Sequence, residues 1–260
     1  MFRKIILFCM VFAFSIFSCG PLKHSKKETC VCMLIDISQS TQKKSVRQNF
    51  SRAAHQVVQS LAPGDAFVAG LITQMSLSEP KFCAKYEFKK FQPPSHNSLY
   101  DRLPKKLFDL RVKSIKDSLT QLIDSTLFNF NTRVKETEIL GATRVAARVF
   151  QSYRYPNNVL VILSDMIEDS KYYRFNKIRF TPKTITRLIE KEKEKGRLPD
   201  LTGVRVYVVG AYEEKPYESL RDFWMAYFKA CHAELRPENY GAILVAFRKN
   251  PTTKSRISGK

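Results

Sequence analysis

The sequence predicts an α/β fold: a doubly wound, mostly parallel six-stranded sheet with one antiparallel edge strand and helices on both faces. Apolar runs of strand length alternate with longer stretches of helical apolar spacing between residues 30 and 248. One pair of strands is joined by a short link with no helical pattern, which favours antiparallel pairing because parallel strands need a longer crossover. At 260 residues, the chain is long enough for one such domain.

The first half of the domain is predicted to contain three strands and two helices. Residues 30–35 form an apolar run of strand length, and residues 41–61 place apolar side chains at helical spacing. Strands at 66–73 and 81–89 form the predicted antiparallel pair, and a long amphipathic helix follows at 105–128. We expect the inner face of this helix to consist of Leu107, Leu110, Ile115, Leu119, Leu122 and Ile123.

The second half continues the alternation of helix and strand. The predicted elements are a helix at 138–153, a strand at 159–163, a helix at 182–195, a strand at 203–209, a helix at 218–234 and a strand at 242–247. The strand at 159–163 is the most apolar of the chain and is followed by Ser164-Asp165-Met166. The Lys- and Glu-rich helix at 182–195 indicates a solvated face, whereas the helix at 218–234 carries a group of aromatic residues.

The N-terminal segment has the layout of a secretory signal. A short basic start precedes an apolar run that is too short for a comfortable membrane span. The run ends in Ile16-Phe17-Ser18-Cys19-Gly20, which resembles a bacterial lipobox and implies that Cys19 carries a lipid. The alternative is an ordinary signal peptide with Cys19 incidental. We predict a lipoprotein signal peptide at 1–18, a tether at 19–29, one domain at 30–248 and a basic tail at 249–260.

The formal net charge of +20 predicts attraction to anionic partners. Because an exported protein rarely meets cytosolic nucleic acid, we expect membranes or other proteins as partners rather than nucleic acid. The predicted location is the bacterial cell envelope, where the lipid would anchor the chain. Cys30 and Cys32 lie two apart on one predicted strand and point the same way, so they are poorly placed to form a disulfide with each other.

Three hydrogen-bonding side chains follow the first predicted strand. Asp36, Ser38 and Ser40 lie where a buried strand gives way to a helix. In an open parallel sheet, ligands bind at this carboxyl end of the strands. Carboxylate and hydroxyl oxygens suit Mg²⁺ or a similar cation. The sequence therefore predicts a cation site at this edge of the sheet.

The Asp-x-Ser-x-Ser pattern resembles the start of the metal-ion-dependent adhesion site of von Willebrand factor type A-like domains. In residues 135–142, Thr137 resembles the threonine of that site, with Thr132 and Thr143 as alternatives. Asp165 matches the family's aspartate after its fourth strand. The resemblance implies Mg²⁺ or Mn²⁺ as cofactor and a coordination position left open for a partner protein's carboxylate. The scattered histidines and the lack of a glycine-rich phosphate loop after the first strand favour a protein that is not an enzyme.

Under this resemblance, the hydroxyls of Ser38, Ser40 and Thr137 would bind the metal directly. Asp36 and Asp165 would act largely through water and steady the hydroxyls. The structural alternative is that the aspartates cap helices or loops, the serines lie in turns, and Thr137 is a helix N-cap.

Basic residues follow two of the three segments, and we expect Lys43, Lys44, Lys171 and Arg174 to bind an acidic partner. One alternative function is a metal-assisted hydrolase, with Asp36, Asp165 or Asp169 as general base. Another is a basic surface that binds anionic lipid or glycan without metal.

Overall fold

The computed structural model describes residues 28–95, 99–129, 134, 136–211 and 217–247. The strands are β1 (Thr29–Asp36), β2 (Ala66–Ile72), β3 (Lys81–Glu87), β4 (Asn157–Leu163), β5 (Val204–Val209) and β6 (Glu234–Gly241). The α-helices are α1 (Lys44–Ser60), α2 (Arg102–Asn129), α3 (Ile139–Tyr153), α4 (Pro182–Glu194) and α5 (Tyr217–Ala230). Short 3₁₀ helices cover Gln39–Gln42 and Phe175–Lys177. Cys19, the signal peptide at 1–18 and the basic tail at 249–260 lie outside the described residues. β1 begins at Thr29, the last residue of the predicted tether.

The six strands form one sheet in the order β3-β2-β1-β4-β5-β6. β1 lies between β2 and β4 and runs parallel to both. β5 and β6 continue the parallel order, while β3 pairs antiparallel with β2 at one edge. The predicted fold class, including its antiparallel edge strand, is confirmed.

Helices cover both faces of the sheet, so β1 is buried along its whole length. Cys30, Cys32 and Leu34 belong to the cluster under α3 and α5. Val31 and Met33 belong to the cluster under α1 and α2. This alternation follows from the two-residue period of a strand and leaves Asp36 at the end of a fully buried element.

The last strand was predicted at the wrong place. α5 ends at Ala230, and a turn through His232, whose φ is 60°, leads directly into β6. β6 is polar and contains Pro237, and both features are more typical of a loop than of a strand. An edge strand tolerates proline, however, because one side of it makes no ladder hydrogen bonds. Residues 242–247 form no strand, and Ile243 and Val245 are exposed.

The predicted inner face of α2 is only half right. Leu119 and Ile123 are buried against α1 and the sheet, and Ile115 packs partly against the same cluster. Leu107 and Leu110, by contrast, are mostly exposed, and Leu122 is also exposed. None of the helices in the described residues combines the length and the apolar character needed to cross a bilayer.

Two matched substitutions on α2 test this division. Leu119 is 7% exposed and Leu107 is 58% exposed. We expect Leu119→Ala to lower the free energy of unfolding by about 2–5 kcal/mol, because it leaves a cavity in the core. Leu107→Ala should change it by no more than about 0.5 kcal/mol. Urea unfolding followed by circular dichroism measures both, and equal losses would contradict the observed packing of α2.

Candidate metal centre

Asp36 lies at the carboxyl end of the central strand, and both of its carboxylate oxygens accept hydrogen bonds. Its Oδ1 accepts from the main-chain N–H of Ser38 at 2.8 Å, and its Oδ2 accepts from the hydroxyl of Ser164 at 2.7 Å. The side chain is almost fully buried. Asp36 therefore joins the end of β1 to the end of β4 and fixes the start of the loop that carries the two serines.

The Thr41 hydroxyl holds the loop after Asp36. It lies 3.0 Å from the main-chain carbonyl oxygens of both Asp36 and Ser38, to which it donates. The loop held in this way places the hydroxyl oxygens of Ser38 and Ser40 3.0 Å apart. Ser38 is buried and Ser40 is exposed, so the pair runs from the interior to the surface.

Asp165 completes this group from the neighbouring strand. β1 and β4 are paired in register up to Ile35 and Leu163, which brings their carboxyl ends together. The Asp165 Oδ1 accepts from the main-chain N–H of Ile167 at 3.0 Å, and its carboxylate also bonds the hydroxyl of Ser40. Asp36, Ser38, Ser40 and Asp165 thus form one linked group, called the aspartate–serine cluster below.

The two carboxyl groups of the cluster disfavour each other's ionisation. Burial raises the pKa of Asp36 to about 7, and the negative charge of Asp165 adds to the shift. Burial also raises the pKa of Asp165, whereas the hydrogen bond from the Ser40 hydroxyl lowers it. A cation placed among these oxygens would relieve the repulsion.

Thr137 reaches the same edge of the sheet through its backbone. Its N–H donates to the carbonyl of Asp169 at 2.7 Å, and its own carbonyl accepts from the Asp169 N–H at 3.1 Å. The carbonyl of Val134, in the same loop, accepts from the N–H of Gln39. All three predicted segments therefore meet. In the described residues, however, the hydrogen bonds within the aspartate–serine cluster do not include the Thr137 hydroxyl.

Of the two alternative threonines, Thr143 lies in the described residues and is not better placed. The Thr143 hydroxyl is buried, donates to the carbonyl of Leu140, and lies 2.9 Å from the hydroxyl of Tyr227. It therefore joins α3 to α5 inside the core. Thr132 lies outside the described residues.

Ser164 and Glu168 were not predicted as site residues. Ser164 is adjacent to Asp165 in the sequence, so its position at the end of a predicted strand could have identified it as a site residue. Glu168 gave no such signal, because its partners are distant in the chain. Its Oε2 accepts from the N–H groups of Ile139 and Leu140 at 2.6 and 3.0 Å and so caps the first turn of α3. The predicted alternative of Thr137 as the N-cap is wrong, since Glu138 occupies that position.

The Glu168 carboxyl group is fully buried, and its second oxygen, Oε1, has no hydrogen-bond partner among the described residues. Burial raises the pKa of Glu168 to about 8, and the negative charge of Glu138 adds to the shift. At neutral pH the group is therefore mostly protonated. It can still accept from the two α3 amides through Oε2.

Glu168→Gln tests this assignment, because glutamine keeps the acceptor but does not titrate. Since the pKa of Glu168 is higher in the folded than in the unfolded chain, its contribution to stability falls as pH rises from about 5 to about 8 and is level above that. The variant should therefore gain stability relative to wild type over this window. Urea midpoints at about pH 5 and pH 9 measure the difference, and an unchanged difference would contradict the assignment.

The loop that carries Asp165 is anchored to the core by an indole group. Met166 adopts a left-handed backbone with a φ of 64°, which costs a non-glycine residue on the order of 1 kcal/mol. Its carbonyl accepts from the Nε1–H of Trp224 at 2.9 Å, and both side chains are fully buried. The aromatic cluster of α5 thereby fixes the loop in which Asp165 lies.

The four predicted basic residues are all exposed, in the loops beside the cluster. Lys43 and Lys44 follow Ser40, and Lys171 and Arg174 follow Asp165. The guanidinium of Arg174 lies 3.7 Å from the Asp169 carboxylate, which offsets part of its charge. The remaining lysines give this edge of the sheet a positive field.

The donor set of the cluster fits a cation that prefers oxygen. It offers two neutral hydroxyls and two carboxyl groups, and Mg²⁺ and Mn²⁺ bind such ligands. Within the described ranges, no group of three or more His, Cys, Asp or Glu side chains is arranged to hold a metal ion. A site that takes a metal here would therefore depend on the serine hydroxyls.

Solved structures with a similar fold include several von Willebrand factor type A domains. The match covers 84% of this chain and 90% of the von Willebrand factor domain of the type V pili tip protein Mfa5 from Porphyromonas gingivalis, at 9% identity and a TM-score of 0.44. The fold resembles that of von Willebrand factor type A domains. No protein-family model matches the sequence, and none of the curated proteins compared with it matches.

This chain covers less than two thirds of the length of two other similar structures. The conserved hypothetical protein BatB from Bacteroides thetaiotaomicron is 14% identical over 70% of this chain and 66% of its own, with a TM-score of 0.39. A von Willebrand factor type A protein from Catenulispora acidiphila is 11% identical over 79% of this chain and 43% of its own, with a TM-score of 0.36. At these identities the likeness concerns the fold and carries no information about ligands or partners.

Proposed function

We propose that this protein is a non-enzymatic binding module that engages an acidic residue of a partner protein through Mg²⁺ or Mn²⁺ at the aspartate–serine cluster. The observation that supports the proposal is the linked arrangement of Asp36, Ser38, Ser40 and Asp165 at the carboxyl end of the central strands. The von Willebrand factor A-like fold agrees with such a role. When bound, the cation would supply an attractive position for a carboxylate.

The roles of the individual residues follow from their charge and exposure. Ser38 and Ser40 would bind the metal directly, since neutral hydroxyls leave its positive charge available to a partner. Both oxygens of Asp36 are already engaged by hydrogen bonds, so Asp36 would orient the serines and bind through water. Asp165 would do the same for Ser40. Thr137 would contribute its hydroxyl from the loop paired with Asp169.

The exposed basic residues at this edge would favour an acidic partner before any contact forms. Lys43, Lys44, Lys171 and Arg174 lie in the loops around the cluster. Their field would raise the association rate and make it depend on ionic strength. This contribution would remain in the presence of a chelator, whereas binding through the metal would not.

We further propose that the protein is exported and held in the bacterial cell envelope by a lipid on Cys19. The support is the sequence pattern at 1–18 and its lipobox-like end. An anchored binding module would act on partners at or near the membrane surface.

A matched pair of serine substitutions tests the metal site. Ser40 and Ser45 are both exposed, but only Ser40 belongs to the cluster. A ligand that binds the folded state raises the midpoint of thermal unfolding by mass action. We expect millimolar Mg²⁺ or Mn²⁺ to raise this midpoint for wild type and Ser45→Ala, relative to chelator, and to have little effect on Ser40→Ala. Differential scanning calorimetry measures the three proteins.

Two results would contradict the proposal. An equal metal-dependent shift in Ser40→Ala and Ser45→Ala would place the metal elsewhere. The absence of any shift in wild type at millimolar metal would remove the metal-mediated mechanism. Metal-dependent hydrolysis of a phosphate or carboxylic ester that is lost in Asp165→Asn would instead support the hydrolase alternative.

A further inference from the structure

The N-terminal part of α2 extends beyond the helix on which it packs. α1 and α2 run antiparallel: Ser51 donates to Asp124, and Lys116 donates to the carbonyl of Gln59 near the end of α1. Residues 102–114 of α2 therefore lie past the last turn of α1. At 1.5 Å per residue this extension, called the α2 extension below, is about 20 Å long.

The α2 extension carries an apolar stripe that no other described element covers. Leu103, Leu107 and Leu110 are 64%, 58% and 54% exposed, respectively. Their spacing places them on one face of the helix. Leu99 and Tyr100, just before the helix, are also exposed, at 66% and 76%. Exposed apolar side chains grouped in this way mark an interaction surface.

Basic residues border the stripe on both sides. At 100° per residue, Lys106 and Lys113 fall on one side of the leucines and Arg111 on the other, and all three are exposed. Arg102 lies at the start of the helix and is also exposed. Apolar side chains flanked by lysine and arginine are typical of helices that lie in the interface of a bilayer, where the long basic side chains reach the headgroups.

The α2 extension lies at the end of the domain where the chain enters from residues 1–27. Glu28, which precedes β1, pairs with Lys90, and the ring of the adjacent Phe91 packs on Phe108 of α2 with 5.4 Å between centroids. The aspartate–serine cluster lies at the opposite, carboxyl end of β1. The stripe and the chain that leads to the apolar N-terminal segment thus share one end of the domain.

We propose that the α2 extension docks on the surface of an anionic lipid bilayer, with Leu103, Leu107 and Leu110 in the interface and the flanking basic residues among the headgroups. Charge favours this occupant over a second copy of the chain, because a protein of net charge +20 repels itself. The position at the end where the chain enters favours the membrane that would hold the lipid on Cys19, so this part of the argument rests on the proposed anchor. The docking does not require the metal site.

A photo-reactive amino acid placed in the apolar stripe identifies the molecule, lipid or protein, that contacts it. The full chain, purified in detergent, is reconstituted into vesicles of phosphatidylcholine with phosphatidylglycerol, with chelator present. Benzoylphenylalanine replaces Leu107 in one protein and Gln121 in the control. Gln121 is also exposed on α2 but lies between the two residues that bond α1, Lys116 and Asp124, and so outside the α2 extension. After illumination, mass spectrometry distinguishes adducts to lipid, to the same chain and to a second chain.

We expect lipid adducts at position 107 to exceed those at position 121 at least several-fold. We also expect their yield to fall when the vesicles lack phosphatidylglycerol or when the protein carries Lys106→Glu and Lys113→Glu. An adduct to another segment of the same chain, or to a second chain, would overturn the proposal. So would lipid adducts equal at the two positions. Because chelator is present throughout, failure here is distinct from failure of the proposed metal site.

Discussion

The carboxyl group of Asp36 is the point on which the candidate site depends. It ends a strand that is apolar and buried on both faces, so it must satisfy both oxygens within the protein. It does so with the Ser38 N–H and the Ser164 hydroxyl, which belong to different strand ends. The same two hydrogen bonds fix the loop of the serines and join it to the loop of Asp165. Proximity of the two acids then follows from sheet register rather than from local sequence.

The architecture could be predicted from the sequence because it follows from the spacing of the apolar residues and from the order of the elements along the chain. The helical and strand-length apolar patterns, and one link too short for a crossover, were enough to predict a doubly wound sheet with an antiparallel edge. The meeting of Asp36, Ser38, Ser40 and Asp165 could also be predicted. Residues that follow neighbouring parallel strands come to the same edge whatever the details of their loops.

The features that could not be predicted depend on distant partners. Glu168 caps a helix that begins 29 residues earlier in the chain, and no local pattern signals such a cap. β6 is polar and contains a proline, and only its place at the edge of the sheet makes it a strand. The periodicity of α2 suggested one continuous inner face, but α1 is shorter than α2, so Leu107 and Leu110 in the first turns have no part of α1 to pack against.

The central position of β1 has a mechanical consequence for an anchored binding protein. The chain enters at Thr29, and the candidate site begins at Asp36, so tension between a membrane anchor and a bound partner would run along this one strand. β1 is hydrogen-bonded along both sides to parallel neighbours. Because the force enters and leaves through the same strand, the covalent backbone of β1 carries it, and the hydrogen bonds to β2 and β4 are not pulled apart one after another. The topology that brings the acids together therefore also suits the domain to bear load.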